Sequence, residues 1–353
     1  MRAGVKSAAR GWVRAWFAAW LACALCSGPV LATGPAQGDV DPNAPLTFGI
    51  LPIGGPAESL EAWRPMLDDL SKALSRPVRA VSVTTYEGIA QAISEQRVDI
   101  AFLSGRLALD AVTGQNMQVI GQLTRGDGSK GYYAVVLVAA DSRLRTVDQL
   151  FARPGKWRFA RGEALSVSGY LVPETQLFAA RNVDSDTFFA SVHIDNHQNN
   201  ALAVANGEVD VATNNTADLE RFRQHFPDQY ARLRVLWRSS LIPHAVIVIR
   251  NDLPLALRER VATFITSYGK GKEGSREEAN LKLIHDISGF ARADNAVLVP
   301  FVDIEYSLEK RRATSAQWVS EAAREARFQK IKVDHDAVVK QLDGKQPSNG
   351  LRP

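Results

Sequence analysis

The sequence predicts an α/β protein made of two lobes, each a sheet covered by helices. Short apolar runs typical of buried strands alternate with segments of helical spacing along most of the chain. A polar break at residues 141–146 divides this alternation into two units, and an extended Ile242-Pro243 segment leads back out of the second. Ligands of open α/β sheets bind beyond the carboxyl ends of the strands, so we expect a hinged binding protein with a cleft between its lobes.

The first unit alternates strands and helices from residue 46 to residue 140. Alternating or continuous apolar residues predict the strands, and the 3.6-residue period predicts the helices. In chain order they are strand Leu46 to Leu51, helix Leu60 to Leu74, strand Val78 to Val83, helix Tyr86 to Glu95, strand Val98 to Leu103, helix Leu107 to Val112, and strands Val119 to Leu123 and Ala134 to Ala140.

The second unit repeats the pattern before the chain returns to the first. Its predicted elements are strand Trp157 to Ala160, a helix ending at Ala180, strand Phe188 to Ile194, helix His197 to Asn206, strand Val209 to Thr213, helix Leu219 to Phe226 and strand Leu233 to Trp237. Strand Ala245 to Ile249 and helix Leu255 to Tyr268 follow. We therefore assign residues 45–140 and 245–300 to the first lobe and 141–244 to the second.

Residues 301–353 form a charged tail with helical spacing from Glu305 to Ile331, and we expect the residues after Leu342 to be disordered. The tail helix either lies against the first lobe or forms a dimer contact. The sequence alone does not distinguish a monomer from a weak homodimer.

Residues 1–32 have the pattern of a signal peptide. Four basic residues precede an apolar run from Ala15 to Leu25, and Val30-Leu31-Ala32 supplies small residues before a cleavage site. We expect an exported, periplasmic protein that begins near Thr33. A lipid anchor on Cys23 or Cys26 is the alternative, although neither cysteine has the usual preceding residues.

The charge of the chain after this segment is balanced. The whole chain has 42 basic and 38 acidic residues, and the four basic residues of the leader account for the difference. The usual electrostatic argument for nucleic acid or an anionic membrane as partner is therefore missing. Both cysteines lie in the leader, so thiolate chemistry and disulfides are not expected after its removal.

A serine-rich junction, residues 162–173, lies where a strand gives way to a helix. It reads Gly-Glu-Ala-Leu-Ser-Val-Ser-Gly-Tyr-Leu-Val-Pro and presents hydroxyls and free backbone N–H groups at the positive end of a helix. Such a junction suits an anion, although serine and glycine also cap helices that bind nothing.

Four motifs in order resemble the phosphonate-binding periplasmic proteins of ABC importers. They are residues 48–52 (Phe-Gly-Ile-Leu-Pro), 98–103 (Val-Asp-Ile-Ala-Phe-Leu), 166–173 (Ser-Val-Ser-Gly-Tyr-Leu-Val-Pro), and a block from Asn196-His197 to Asn214-Asn215-Thr216. The resemblance covers about Leu46 to Arg312. It implies a type II periplasmic-binding-protein fold, in which a two-crossing hinge joins two α/β lobes.

The resemblance also implies the ligand site. Phosphonate oxygens would meet Tyr86, Ser166, Ser168 and His197, with Tyr132 also facing the pocket. A tetrahedral oxyanion needs several converging donors, and neutral hydroxyl and N–H groups allow release. Each of these residues could instead have a purely structural role. Tyr86 and His197 stand at helix starts and could be caps, and Tyr132 could be a core aromatic.

The chain departs from the family pattern at three positions. Val167 stands where the family usually has Thr, so one hydroxyl is missing beside a retained backbone N–H. Ala217 and Ala245 stand where members that bind aminoalkylphosphonates have acids, so 2-aminoethylphosphonate is disfavoured. His244 could instead donate to an anionic or polar tail, and Arg106 could approach the oxyanion; either could also face solvent.

The expected partners are a small phosphonate or related oxyanion and the permease and ATPase subunits of an importer. We expect no cofactor and no metal, because the strand-to-helix change between His193 and His197 prevents a shared face. A ligand-sensing receptor for a signalling kinase stays open as an alternative. So does an enzyme on the same fold, although the sequence shows no carboxylate that would orient a Ser166 and His197 pair.

Overall fold

The computed structural model describes residues 44–53, 55–129, 131–284 and 286–344. The predicted signal peptide, Cys23 and Cys26 lie outside these residues, as do the last nine residues of the chain. Within the described part, none of the helices combines the length and the apolar character needed to cross a bilayer.

The strands of the described residues belong to two large sheets and one short ribbon. They are β1 (Leu46–Ile50), β2 (Val78–Ser82), β3 (Ile100–Leu103), β4 (Met117–Thr124), β5 (Gly131–Tyr132), β6 (Ala134–Ala139), β7 (Arg158–Arg161), β8 (Ser191–Ile194), β9 (Val211–Asn215), β10 (Leu233–Arg238), β11 (Ile242–Pro243), β12 (Val246–Arg250) and β13 (Gly289–Arg292).

Helices connect most of these strands. They are α1 (Pro56–Leu74), α2 (Tyr86–Ser94), α3 (Gly105–Gly114), α4 (Val147–Phe151), α5 (Ser185–Phe188), α6 (His197–Ala205), α7 (Thr216–His225), α8 (Pro227–Tyr230), α9 (Leu255–Ser267), α10 (Gly274–Leu283), α11 (Val299–Ser315) and α12 (Glu321–Asp343). Short 3₁₀ turns cover Ala179–Arg181 and Asn295–Leu298.

Each large sheet is the centre of one lobe. The first has the order β13-β4-β12-β3-β1-β2 and the second β10-β6-β9-β7-β8. Parallel pairs such as β1 with β3 and β7 with β9 need crossover connections. β1 and β3 are buried and mostly apolar, as is typical of a sheet covered on both faces. The predicted α/β class and most of the predicted strands and helices are confirmed.

The two crossings between the lobes pair with each other. β5 and β11 form an antiparallel ribbon in which Ile242 lies opposite Tyr132 and Pro243 opposite Gly131. The ribbon requires glycine at position 131, since a Cβ there would lie 2.1 Å from the carbonyl oxygen of Ile242. This pairing confirms the two-crossing hinge.

Each lobe has its own aromatic core. In the first lobe Trp63 packs on Phe48 and Phe102, with ring centroids 5.0 and 5.1 Å apart. In the second, Phe159 stacks on Phe189 at 4.2 Å, and Phe178 meets both rings edge-on. The aromatic groups of the two lobes are separate, whereas the larger apolar cluster of the first lobe continues into the second at Val167, Leu171 and Val172.

The predicted lobe boundary is wrong at one strand. β6, which we assigned to the first lobe, pairs with β9 and β10 in the second sheet. A fully apolar strand such as Ala134–Ala139 fits the centre of either sheet, so its sequence does not reveal its sheet. The chain crosses before residue 134, and the polar break at 141–146 is a turn within the second lobe. Independent movement of the lobes stays a prediction.

Two predicted helices differ from the structure. The helix expected to end at Ala180 consists largely of π-helical turns at Val167–Leu171 and Glu174–Phe178. Pro173, which lacks an N–H, separates the two turns. The tail forms two helices, because the backbone is extended at Ala316 before Ser320 caps α12. The tail packs on α3 and on the turn Asn295–Leu298 of the first lobe, and α11 also contacts Glu174–Phe178 of the second.

Candidate ligand-binding site

A cavity of about 70 Å³ lies between the two lobes. Seven of the eight residues predicted from the sequence line it: Tyr86, Tyr132, Ser166, Val167, Ser168, His197 and His244. The volume is small beside ordinary ligand pockets of about 300 Å³ or more, so the cavity suits a small head group with a short tail.

The serine loop owes its shape to two glycines. Gly162 at the end of β7 and Gly169 in the first π turn approach so closely that a Cβ on Gly162 would lie 2.8 Å from the Cα of Gly169. The N–H of Gly162 donates to the carbonyl of Gly169 at 3.1 Å. Ser166 caps the turn by accepting the N–H of Gly169 at 3.1 Å, so the loop is held without a ligand.

A buried network fixes Ser168 and His197. The Oγ of Ser168 lies 3.2 Å from Nε2 of His197 and accepts a hydrogen bond from Nδ2 of Asn215 at 3.2 Å. The Nδ2 of Asn214 donates to the carbonyl of His197 at 2.7 Å. Asn196 caps α6 and so orients His197, the first residue of the helix, towards the same point.

His197 faces the cavity as a neutral imidazole. Burial lowers its pKa below the ordinary value, although the carboxylate of Asp218, 3.9 Å from Nε2, opposes this effect. Asp218 is itself held by Asn215, which donates to Oδ2 at 2.7 Å and accepts the Asp218 N–H at 2.8 Å. A neutral ring offers one donor without a fixed charge, which suits reversible binding.

Two tyrosines close the cavity beside the serines. Tyr86 is the first residue of α2 and Tyr132 lies on the hinge strand β5. Burial first, and the negative charge of Asp218 second, raise the pKa of both phenols. Both therefore keep their protons at neutral pH and remain hydrogen-bond donors.

Glu163 joins the two lobes at the rim of the cavity. Its Oε2 accepts the backbone N–H of Tyr86 at 2.9 Å. Burial, and then a hydrogen bond with the carboxyl group of Glu87, raise the pKa of Glu163 to about 7. The same hydrogen bond lowers the pKa of Glu87, so the pair holds one shared proton across the cleft.

Arg106 does not belong to this cavity, and our prediction for it is wrong. Its guanidinium pairs with Asp110 at 2.9 Å and with Glu305 of α11, and it lines a separate groove among α3, α11 and α12. The side chain follows β3 by only three residues, but the first turn of α3 directs it away from the cleft. Its role is to fasten α3 to α11.

Four polar residues of the cavity were not predicted from the sequence: Ser104, Arg125, Asn215 and Asp218. Asp218 matters most, because it supplies a carboxylate to a cavity in which Ala217 and Ala245 replace the acids of aminoalkylphosphonate binders. Asp218 stands one position after Ala217, and its three-residue spacing from Asn215 is a capping pattern that could have revealed it. No group of three or more potential metal ligands occurs among the described residues.

The fold and this cavity define a two-lobed substrate-binding protein. The family model of periplasmic phosphonate substrate-binding proteins of ABC transporters matches residues 48–298. The phosphonates-binding periplasmic protein of Escherichia coli is 33% identical over 302 residues, which are 86% of this chain and 88% of that protein.

Two further similarities extend this comparison. The phosphate-import protein PhnD of Mycolicibacterium smegmatis is 21% identical over 74% of this chain and 82% of its own length. The crystal structure of a phosphonate ABC transporter binding protein from Pseudomonas aeruginosa superimposes with a TM-score of 0.78, at 29% identity, over 84% of this chain and 97% of that chain. The chain belongs to the family of periplasmic phosphonate-binding proteins of ABC transporters, with a type II fold.

Proposed function

We propose that this protein captures a phosphonate, or a closely related oxyanion with a PO₃ group, in the cavity between its lobes. The observation that carries the proposal is the convergence of Ser166, Ser168 and His197 from the second lobe with Tyr86 and Tyr132 on one small cavity. All five are neutral donors, and a tetrahedral anion with three oxygens can accept from all of them. Val167 contributes its backbone N–H and no hydroxyl.

We further propose that the loaded protein delivers its ligand to the permease and ATPase subunits of an importer in the periplasm. Family membership supports this role. The predicted signal peptide, residues 1–32, supplies the route of export.

Catalysis is disfavoured by the geometry of His197. Asp218 supplies the carboxylate that the sequence alone did not reveal, but both Ser168 and Asp218 approach the same ring nitrogen, Nε2. A nucleophile, base and orienting acid need the two different nitrogens of the imidazole. We expect no hydrolysis of phosphate or phosphonate esters by the purified protein.

The proposal is tested by isothermal titration and thermal shift with methylphosphonate, ethylphosphonate, phosphite, phosphate and sulfate. We expect one of the PO₃ compounds to bind with micromolar or tighter affinity and to raise the melting temperature. Ser168→Ala removes a hydrogen bond to a charged group, which is worth about 1.5–3 kcal/mol, and should weaken binding about 10- to 100-fold.

Ser191→Ala is the matched control, since Ser191 is an exposed serine on β8 of the same lobe. It should bind like the unmodified protein. Failure of every PO₃ compound to bind, or full affinity in the Ser168→Ala variant, would contradict the proposal.

A further inference from the structure

The first lobe presents a second group of polar residues to the cavity, at one edge of its sheet. β3 and β4 run parallel to each other on either side of β12, with Leu103 and Gln122 both opposite Val246. Ser104 directly follows β3, and Arg125 directly follows β4. The two residues therefore leave the same carboxyl edge, two strand spacings or about 10 Å apart across the sheet, and Arg125 lies two residues further along the strand direction than Ser104.

Ser104 carries a hydroxyl that the protein does not use. The residue is 7% exposed and lines the cavity, and its Oγ has no hydrogen-bond partner. It stands at the N-cap of α3, yet its side chain makes no capping bond. A buried hydroxyl without a partner is costly, so its retention at a cavity wall points to a ligand atom.

Arg125 is the second unused group. Its Nε is buried without a hydrogen-bond partner, and no ion pair of its guanidinium occurs within the described part of the chain. Asp127, the nearest acid in sequence, accepts the N–H of Ser129 at 2.9 Å. Arg125 is the one permanent cation among the described residues that line the cavity.

Two other charged or titratable cavity residues, Asp218 and His244, already have partners within the protein. Asp218, on the opposite lobe, is held by Asn215 at the N-terminus of α7, where the helix dipole compensates its charge. His244 also lines the cavity, but its Nε2 contacts Ser129, and burial and the charge of Arg125 lower its pKa. Its ring stacks on Tyr132 with centroids 6.2 Å apart.

We propose that Ser104 and Arg125 form a second subsite that binds a carboxylate on the short tail of a phosphonate ligand. The inference rests on the proposed function, in which the serine and histidine side chains of the second lobe hold the PO₃ head. Arginine binds a carboxylate through two parallel N–H groups, and the hydroxyl of Ser104 at the start of α3 adds a third donor. The small cavity limits the tail to one or two carbons.

The test compares ligands that share the head group and differ in the tail. Titration uses methylphosphonate, phosphonoacetate, 3-phosphonopropionate and 2-aminoethylphosphonate. We expect at least one phosphonocarboxylate to bind 10-fold or more tightly than methylphosphonate. Arg125→Gln should remove this advantage and leave methylphosphonate within about 2-fold of its original affinity. Arg79→Gln, an exposed arginine on β2, is the control and should change nothing.

Ser104→Ala separates binding from folding. Because the hydroxyl makes no bond, its removal should leave the melting temperature of the ligand-free protein unchanged or higher. The same variant should reduce the carboxylate advantage about 3- to 10-fold. A lowered melting temperature with an unchanged tail preference would assign Ser104 to folding and overturn its place in the subsite.

Each other outcome is also decisive. Equal weakening of all phosphonates by Arg125→Gln would place the arginine on the head group and overturn the inference while the proposed function survives. Stronger binding of 2-aminoethylphosphonate than of either phosphonocarboxylate would assign the tail to Asp218 instead. If methylphosphonate itself fails to bind, along with every other PO₃ compound, the proposed function has failed and not merely the subsite.

Discussion

The two walls of the cleft differ in how their polar groups are satisfied. On the second lobe, Ser166, Ser168 and Asn215 are held by hydrogen bonds within the protein. Nδ1 of His197 is the one buried polar side-chain atom without a partner among the described cavity residues of that lobe. On the first lobe, Ser104 and Arg125 carry buried polar atoms without partners. The second wall is thus organised before a ligand arrives, which suits a constant head group, and the first leaves donors for a group that differs between ligands.

Removing the amide that organises the second wall should have the largest effect. Asn215→Ala deletes the donor to Ser168 and Asp218 and also the cap of α7. We expect affinity for the PO₃ ligand to fall about 100-fold and stability to fall by about 1–2 kcal/mol. Titration and chemical denaturation measure the two effects.

Asn199→Ala is the control, because Asn199 is an exposed asparagine on α6 of the same lobe. If Asn215→Ala lost stability but kept its affinity, the second wall would not depend on prior organisation and the contrast between the walls would fail.

The contact between the walls should make binding depend on pH. Opening the cleft separates Glu163 from Glu87 and Tyr86, so the pKa of Glu163 returns from about 7 towards its ordinary value of 4.5. Closure therefore takes up a proton between these values, and its contribution is fully present below pH 4.5 and lost as the pH rises through about 7. Asp195, which also faces Glu163, raises the pKa in the same direction.

Titrations from pH 5 to pH 8 should show an affinity that falls towards neutrality and then levels off. Glu163→Gln should flatten this dependence relative to the unmodified protein, and comparison of the two cancels the titration of the ligand itself. Glu61→Gln is the control, because Glu61 lies on the exposed face of α1, and this variant should keep the pH dependence of the unmodified protein. Parallel curves for the Glu163→Gln and unmodified proteins would exclude the shared proton.

The smallest effect is expected from restoring a hydroxyl to the second wall. Val167 is 2% exposed, so Val167→Thr adds a buried hydroxyl beside Ser166 and Ser168. Without ligand it lacks a partner and should lower stability by about 1 kcal/mol, whereas with ligand it should improve affinity a few-fold. Thermal denaturation and titration of the same variant should thus move in opposite directions. Unchanged affinity would mean that the head group does not reach position 167.

The sequence predicts the second wall far better than the first. Ser166, Ser168 and His197 fall in contiguous motifs at a strand end and a helix start, where local spacing determines geometry. Ser104 and Arg125 lie 21 positions apart and become neighbours only through the pairing of β3, β12 and β4. A single sequence contains no signal for that pairing.

The predictions for β6 and Arg106 were wrong for the same reason, because tertiary packing decides both. β6 is uniformly apolar, so its sequence does not indicate which of the two sheets it joins. Arg106 follows β3 closely in sequence, but its direction is set by Glu305, almost two hundred residues away, on a helix whose packing the local pattern does not fix. Local spacing predicts an element and its caps, whereas the partner of each side chain is determined by tertiary structure.

Gly105 has a practical consequence for anyone who shortens this chain. The ring of Phe301 rests on the first turn of α3 so closely that a Cβ at Gly105 would overlap it at 2.1 Å. The family match stops at residue 298, before that ring. A biosensor or crystallisation fragment trimmed to the matched residues would thus discard the support beneath Ser104, and screening it would understate what the intact molecule recognises.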